Sequence, residues 1–118
     1  MRAIAQGLVA LVALLHGYFL VLEMFLWTKP AGRRAFGMTQ EQAEQSKVLA
    51  MNQGLYNGFL AAGLLWGLML GAAGRGVVIF FLSCVIIAGV FGAVTASRKI
   101  LYVQALPAAV ALVVWLVA

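Results

Sequence analysis

His16 and Glu23 stand seven residues apart in the otherwise apolar run HGYFLVLEMFLW. In a helix that spacing puts both on one face, two turns or about 10.5 Å from each other. An imidazole with an ordinary pKa near ~6.5 beside a carboxylate supplies the parts of a proton-transfer site, as general acid and base or as a relay. A second polar group, Asn52, Gln53, Tyr56 and Asn57, lies in MNQGLYNG and shares one helical side. Gln104 is a third. Amide and phenol groups of this kind orient the polar end of a greasy ligand. His16 and Glu23 are therefore the candidate catalytic residues, and Asn52, Gln53, Tyr56, Asn57 and Gln104 the candidate substrate-binding residues. The competing reading is that the same residues bond one another and hold helices together.

Other chemistries lack their parts. A metal site needs three or four ligands, and the chain has one histidine and one cysteine. A lone histidine specifies no cofactor, and none is expected. Cys84 sits inside an apolar run without a neighbouring activator, which makes it an inert thiol and excludes an intrachain disulfide. Ser83, Thr95 and Ser97 are expected to bond helix backbone rather than react.

The elements that must position these residues follow from composition. The chain has 118 residues, 65% hydrophobic and only 9% charged, whereas a soluble domain is about half apolar and about a quarter charged. That balance points to a lipid bilayer, whose hydrocarbon is ~30 Å thick and needs about 20 apolar residues of helix. Four segments qualify: 3–27, 49–71, 76–96 and 100–118. They are continuous rather than alternating, so helices are preferred to barrel strands. The expected fold is all-α, a single integral membrane four-helix bundle. Segment 3–27 is read as a retained span, because its apolar stretch exceeds the roughly 7–15 residues of a signal-peptide core.

The net charge of +5 is explained by topology, not by nucleic acid. Lys29, Arg33, Arg34 and Lys47 flank the first loop, Arg98 and Lys99 form the third, and Arg2 and Arg75 fall on the opposite side. This asymmetry places loops one and three in the cytoplasm and both termini outside. The basic loop residues would meet anionic head groups.

Along the chain, Trp27 suits the membrane interface. TKPAGRRAFGM follows as a long first cytoplasmic loop in which Pro30 and Gly32 break the helix. Thr39 and Gln42 have the spacing of a capping box, which predicts a helix starting near Gln40 and running unbroken into span two as its cytoplasmic extension. Loops AAGRG and SRK are short, so spans two to four are antiparallel neighbours. In span two, Gly54–Gly58, Gly63–Gly67 and Gly67–Gly71 have the small-xxx-small spacing of close helix approach. Two outcomes are open there: packing on both faces, or a pocket above a polar floor at Gly63 and Gly67. Nearly all strongly polar intramembrane side chains fall in the inner half of the bilayer, which predicts one interior polar cavity near the cytoplasm. Pro107 would add to it by freeing the carbonyl of Val103.

The stretches LVALLHGYFLVLEMFLWTKPAGRRAFG and MNQGLYNGFLAAGLLWG, with H-x6-E-M-F-x-W and N-Q-G-x-Y-N-G combined in one chain, resemble the signature segments of a bacterial membrane protein family, domain of unknown function 1304. The similarity covers nearly the whole chain, including the order of spans and the long first loop. It implies a small four-helix protein of the bacterial inner membrane and supplies no activity, substrate or catalytic residues.

Three functions compete. The first is a binding protein for a small lipophilic molecule, in its concrete form a cofactor-free isomerase using His16 and Glu23. The second is a proton-coupled exporter. The small multidrug transporters have a similar length, four spans and a membrane glutamate. Here the first loop is far longer, the charge bias is strong, and Glu23 is off-centre, which ranks transport below the first reading. The third is an accessory or assembly subunit that contacts a partner through the QEQAEQ extension. So small a chain is expected to form a homo-oligomer, with the glycine faces as contacts.

Overall fold

A computed structural model describes all residues, Met1–Ala118, and every regular element is helical. Five α-helices follow one another: α1 (Arg2–Met24), α2 (Pro30–Phe36), α3 (Gln40–Met69), α4 (Arg75–Thr95) and α5 (Leu106–Val117). A single 3-10 turn, Gly71–Gly74, joins α3 to α4, and a π-helical stretch, Leu101–Ala105, leads into α5. Two helices are long and apolar enough to cross a membrane, Arg2–Met24 and, counting its 3-10 entry, Gly71–Thr95. Leu101–Val117 is apolar but shorter. α3 has the length, at 30 residues, but its stretch from Gln40 to Asn57 carries the Gln/Glu run and then Asn52, Gln53 and Asn57.

The chain forms two compact units. One comprises residues 1–14 and 60–118, the other residues 15–59. In the first, Ala5, Val9 and Val12 of α1 pack with Leu64, Val78, Leu82 and Trp115 in an apolar core. Glycines set how closely its helices approach. A Cβ on Gly67 would stand 2.6 Å from the Val78 Cγ2, and one on Gly63 would collide with the Phe81 ring. The space above Gly63 and Gly67, the alternative place for a pocket, is thus filled by Val78 and Phe81. Gly89 of α4 lies against the backbone of Ala105, 2.6 Å from its nitrogen to a Cβ position.

That contact falls in the π stretch. Leu106 donates its amide to Leu101 five residues back, immediately before Pro107. The wider turn is the helix's way of accommodating a proline that has no amide and crowds the preceding turn. The sequence expectation was a freed carbonyl at Val103. The structure adds a change of hydrogen-bond spacing upstream of the proline, with Gln104 inside it.

In the second unit, the first loop departs from expectation by containing α2. Pro30 does not break a helix here; it begins one, at a position whose amide needs no partner and whose φ is already helical. Gly37 ends it with φ 62°, the left-handed conformation glycine adopts at no steric cost. The Met38 amide then closes onto the Arg33 carbonyl at 2.9 Å. Gly32 is buried, and a Cβ there would strike the carbonyl oxygen of Leu26. The Trp27 and Phe36 rings lie 4.8 Å apart, and the Trp27 indole donates to Ser46 Oγ at 3.1 Å, tying the end of α1, α2 and the start of α3 together. The capping box forms in both directions: the Gln42 amide donates to Thr39 Oγ1 at 3.1 Å, and the Thr39 amide to Gln42 Oε1 at 3.0 Å. α3 then runs without a break.

Candidate functional site

The buried residues of α1 include Ala5, Val9, Val12, His16 and Glu23. These steps of three, four and seven residues make one stripe of a 3.6-residue helix. His16 is completely buried and Glu23 retains 9% exposure; they are the only buried polar or charged side chains. The His16 ring meets Phe19 edge-on at 5.5 Å.

What faces Glu23 is set by the small residues of α3. Ala50, Gly54 and Ala61 are buried along one side of that helix. A Cβ on Gly54 would stand 2.5 Å from Met24 Cγ and 3.1 Å from Glu23 Cβ, and one on Gly58 would stand 2.7 Å from Leu20 Cδ1. α1 and α3 therefore touch along this seam, at a distance only small residues permit. At 100° per residue, Asn57 lies about 60° from Gly54 and about 140° from Asn52. It belongs to the edge of the seam, half-buried, and its Nδ2 donates a hydrogen bond to Glu23 Oε1.

The structure thus brings together two of the sequence-predicted residues, Glu23 and Asn57, with His16 two turns along the same stripe. Asn52, Gln53 and Tyr56 stand exposed on a different side of α3. Gln104 lies in the other unit, partly buried in the π stretch. Two open grooves occur elsewhere. One, of about 410 Å³, is lined by Pro30, Arg33, Arg34, Gly37 and Met38. The other, of about 570 Å³, is lined by Val90, Ala93, Val94, Arg98, Leu101 and Tyr102. No group of three or more His, Cys, Asp or Glu residues is placed to hold a metal ion.

One polar arrangement had no signal in the sequence. The Arg75 guanidinium donates to the carbonyls of Trp115 and Leu116, each at 3.2 Å, while the Trp115 indole donates back to the Arg75 carbonyl at 3.4 Å. It closes the C-terminal turn of α5, whose last carbonyls have no helical partners. The partners are 40 residues apart or more, and only the packing of α4 against α5 brings them together.

An all-α chain with two helices of membrane-crossing length and a carboxylate–amide pair held between α1 and α3 is the class these features define. The chain belongs to the family described as "Protein of unknown function (DUF1304)", whose model matches residues 10–116. It is similar to the uncharacterized protein YpaA of Lactococcus lactis subsp. lactis (strain IL1403), 34% identical over 96 residues that cover 80% of this chain and 81% of that protein. No solved structure is a significant match.

Proposed function

We propose that the chain is a four-span integral membrane protein that holds a small lipophilic molecule by a polar, proton-exchanging group at Glu23. The spans are α1, the C-terminal part of α3, α4, and the π stretch with α5. Loops one and three, with six of the eight basic residues, face the cytoplasm of a bacterial inner membrane, and both termini lie outside.

The observation that carries the reading is the Glu23–Asn57 hydrogen bond, with fully buried His16 on the same stripe. A carboxylate inside a span is costly unless it is paired or reaches water, and such residues mark functional sites by default. An ionised carboxylate has about four acceptor positions. Asn57 fills one, so Glu23 keeps capacity for a ligand. His16, about 10.5 Å along the helix, is beyond direct proton exchange with Glu23. A ligand spanning the two completes the path. Glu23 takes a proton from one atom of the ligand, His16 returns one to another, and a proton passing back through water resets both groups. The ligand leaves with its composition unchanged, which is cofactor-free isomerisation.

The test is native mass spectrometry of the protein released from its host's own membranes, wild type against Glu23→Gln. Gln keeps an acceptor for Asn57, so the fold is retained. The expected result is an additional mass on wild type that is absent from the variant. A ligand-free protein in both samples overturns the proposal.

A further inference from the structure

On the four-span reading, α3 has one side that bundle packing does not use. Its small-residue seam is taken by Leu20, Glu23 and Met24 at Gly54 and Gly58, and farther along by Phe81 at Gly63 and Val78 at Gly67. Gly54, Gly58, Gly63 and Gly67, among the glycines expected to mediate self-association, thus already meet side chains of the same chain, whereas Gly71 meets none. The unused side carries Gln45, Leu49, Asn52, Tyr56 and Phe59, all exposed. Leu49 is 72%, Tyr56 53% and Phe59 54% accessible. The steps between them are four, three, four and three residues, the spacing of a heptad seam between paired helices.

Composition separates this stripe from the other exposed faces. Lipid covers exposed Leu, Val and Phe without penalty, but it offers nothing to an amide or a phenol. Asn52, with Gln53 beside it, and the Tyr56 hydroxyl make no hydrogen bond within the chain. On the four-span reading, Tyr56 shares the depth of its neighbour Asn57, which bonds Glu23 of the first span. Asn52 lies about 6 Å nearer the cytoplasm. Each side-chain amide brings both a donor and an acceptor. A patch of amides is therefore complementary to itself, the condition for a two-fold contact. A polar residue at one core position of such a seam also sets register and subunit number.

We infer that this face of α3 is where a second copy of the same chain docks, the two α3 helices packing in parallel about a two-fold axis along the membrane normal. Asn52 and Gln53 of one copy bond the amides of the other, and Leu49, Tyr56 and Phe59 pack around them.

The experiment uses the full chain in membranes, in a Cys84→Ala background, with single Asn52→Cys, Tyr56→Cys and Phe80→Cys substitutions. Phe80 is an exposed apolar residue of α4 and serves as the control. Under copper–phenanthroline oxidation, a disulfide-linked dimer is expected at positions 52 and 56 and not at 80. By native mass spectrometry wild type is expected to be a dimer, and the Asn52→Leu/Gln53→Leu double variant, folded by circular dichroism, a monomer; a monomeric wild type overturns the dimer. Absence of cross-linking at 52 and 56 above the Phe80→Cys control overturns the dimer, as does a double variant that dimerises like wild type. A membrane-impermeant maleimide separates the two levels of the argument. If it labels Tyr56→Cys from either side, that position is in water, and both the four-span reading and this inference fall. A protected thiol at 56 without cross-linking removes the inference alone.

Discussion

Asn57 donates a hydrogen bond to Glu23, joining α3 to α1 where Gly54 and Gly58 let the two helices come close. The order of causes matters. The small residues allow the approach, the approach puts the amide within reach, and the amide satisfies a carboxylate that is otherwise buried. Asn57→Ala leaves that carboxylate without its partner, at an expected cost of about 1–3 kcal/mol. Asn57→Asp is expected to cost more, because it sets a second carboxylate against the first. Glu23→Gln is expected to be the mildest of the three, since it keeps an acceptor for the amide. Thermal unfolding of the three variants in one detergent checks the ranking. A stability of Asn57→Asp equal to wild type would mean that the bond does not hold the helices.

The glycines should not be equivalent to replacement by alanine. At Gly89 the new methyl would meet backbone, 2.6 Å from the Ala105 nitrogen, and backbone cannot rotate away. At Gly54 it would meet Met24 Cγ at 2.5 Å and the stiff Cβ of Glu23 at 3.1 Å. At Gly58 it would meet only the end of Leu20, at 2.7 Å, which can change rotamer. Overpacking costs typically about 1–3 kcal/mol, so the expected order of destabilisation is Gly89→Ala, then Gly54→Ala, then Gly58→Ala. Unfolding midpoints measured side by side test it; Gly58→Ala as the worst of the three would refute the packing account.

What was legible in the sequence divides by range. The His16–Glu23 stripe, the Thr39–Gln42 cap and the unbroken α3 depend on residues within two turns of each other, and helical geometry alone connects them. The partner of Glu23 was harder. Asn57 stands at the edge of the polar side that Asn52 defines, and which neighbours it joins depends on where α1 packs. α2 was hidden for a different reason: Pro30 and Gly32 read as breakers, although proline is also the residue best suited to a first helical turn. Gly37, five residues past Gly32, was the missed terminator. The Arg75–Trp115 contact had no local signal at all.

The cap of α3 offers a clean pairwise measurement. Thr39 and Gln42 each accept the other's backbone amide. Loss of either is expected to cost about 1 kcal/mol. Because the two bonds share one turn, Thr39→Ala with Gln42→Ala should cost less than the sum of the singles, and a double-mutant cycle reads the difference. Hydrogen exchange at the amides of Gln42 and Ala43 should accelerate in each variant while exchange near Gly54 stays unchanged. Strict additivity would show that the two bonds act independently and would refute the coupling.

Arg75 should matter to the far end of the chain. Its guanidinium donates two hydrogen bonds to the last turn of α5, a place where positive charge also meets the negative end of the helix dipole. Arg75→Met removes both effects while keeping a similar stem, so the last turn of α5 is expected to fray. The effect on global stability should be small, because the site is partly exposed and screened. Local exchange or carboxypeptidase trimming of the final residues should rise clearly. Arg75→Lys restores the charge but not the forked pair of donors, and is expected to fall between the two. If Arg75→Lys trims as fast as Arg75→Met, charge contributes nothing and the forked geometry alone holds the turn. If both trim like wild type, the carbonyls of Trp115 and Leu116 are satisfied without Arg75, and its role at the end of α5 is refuted.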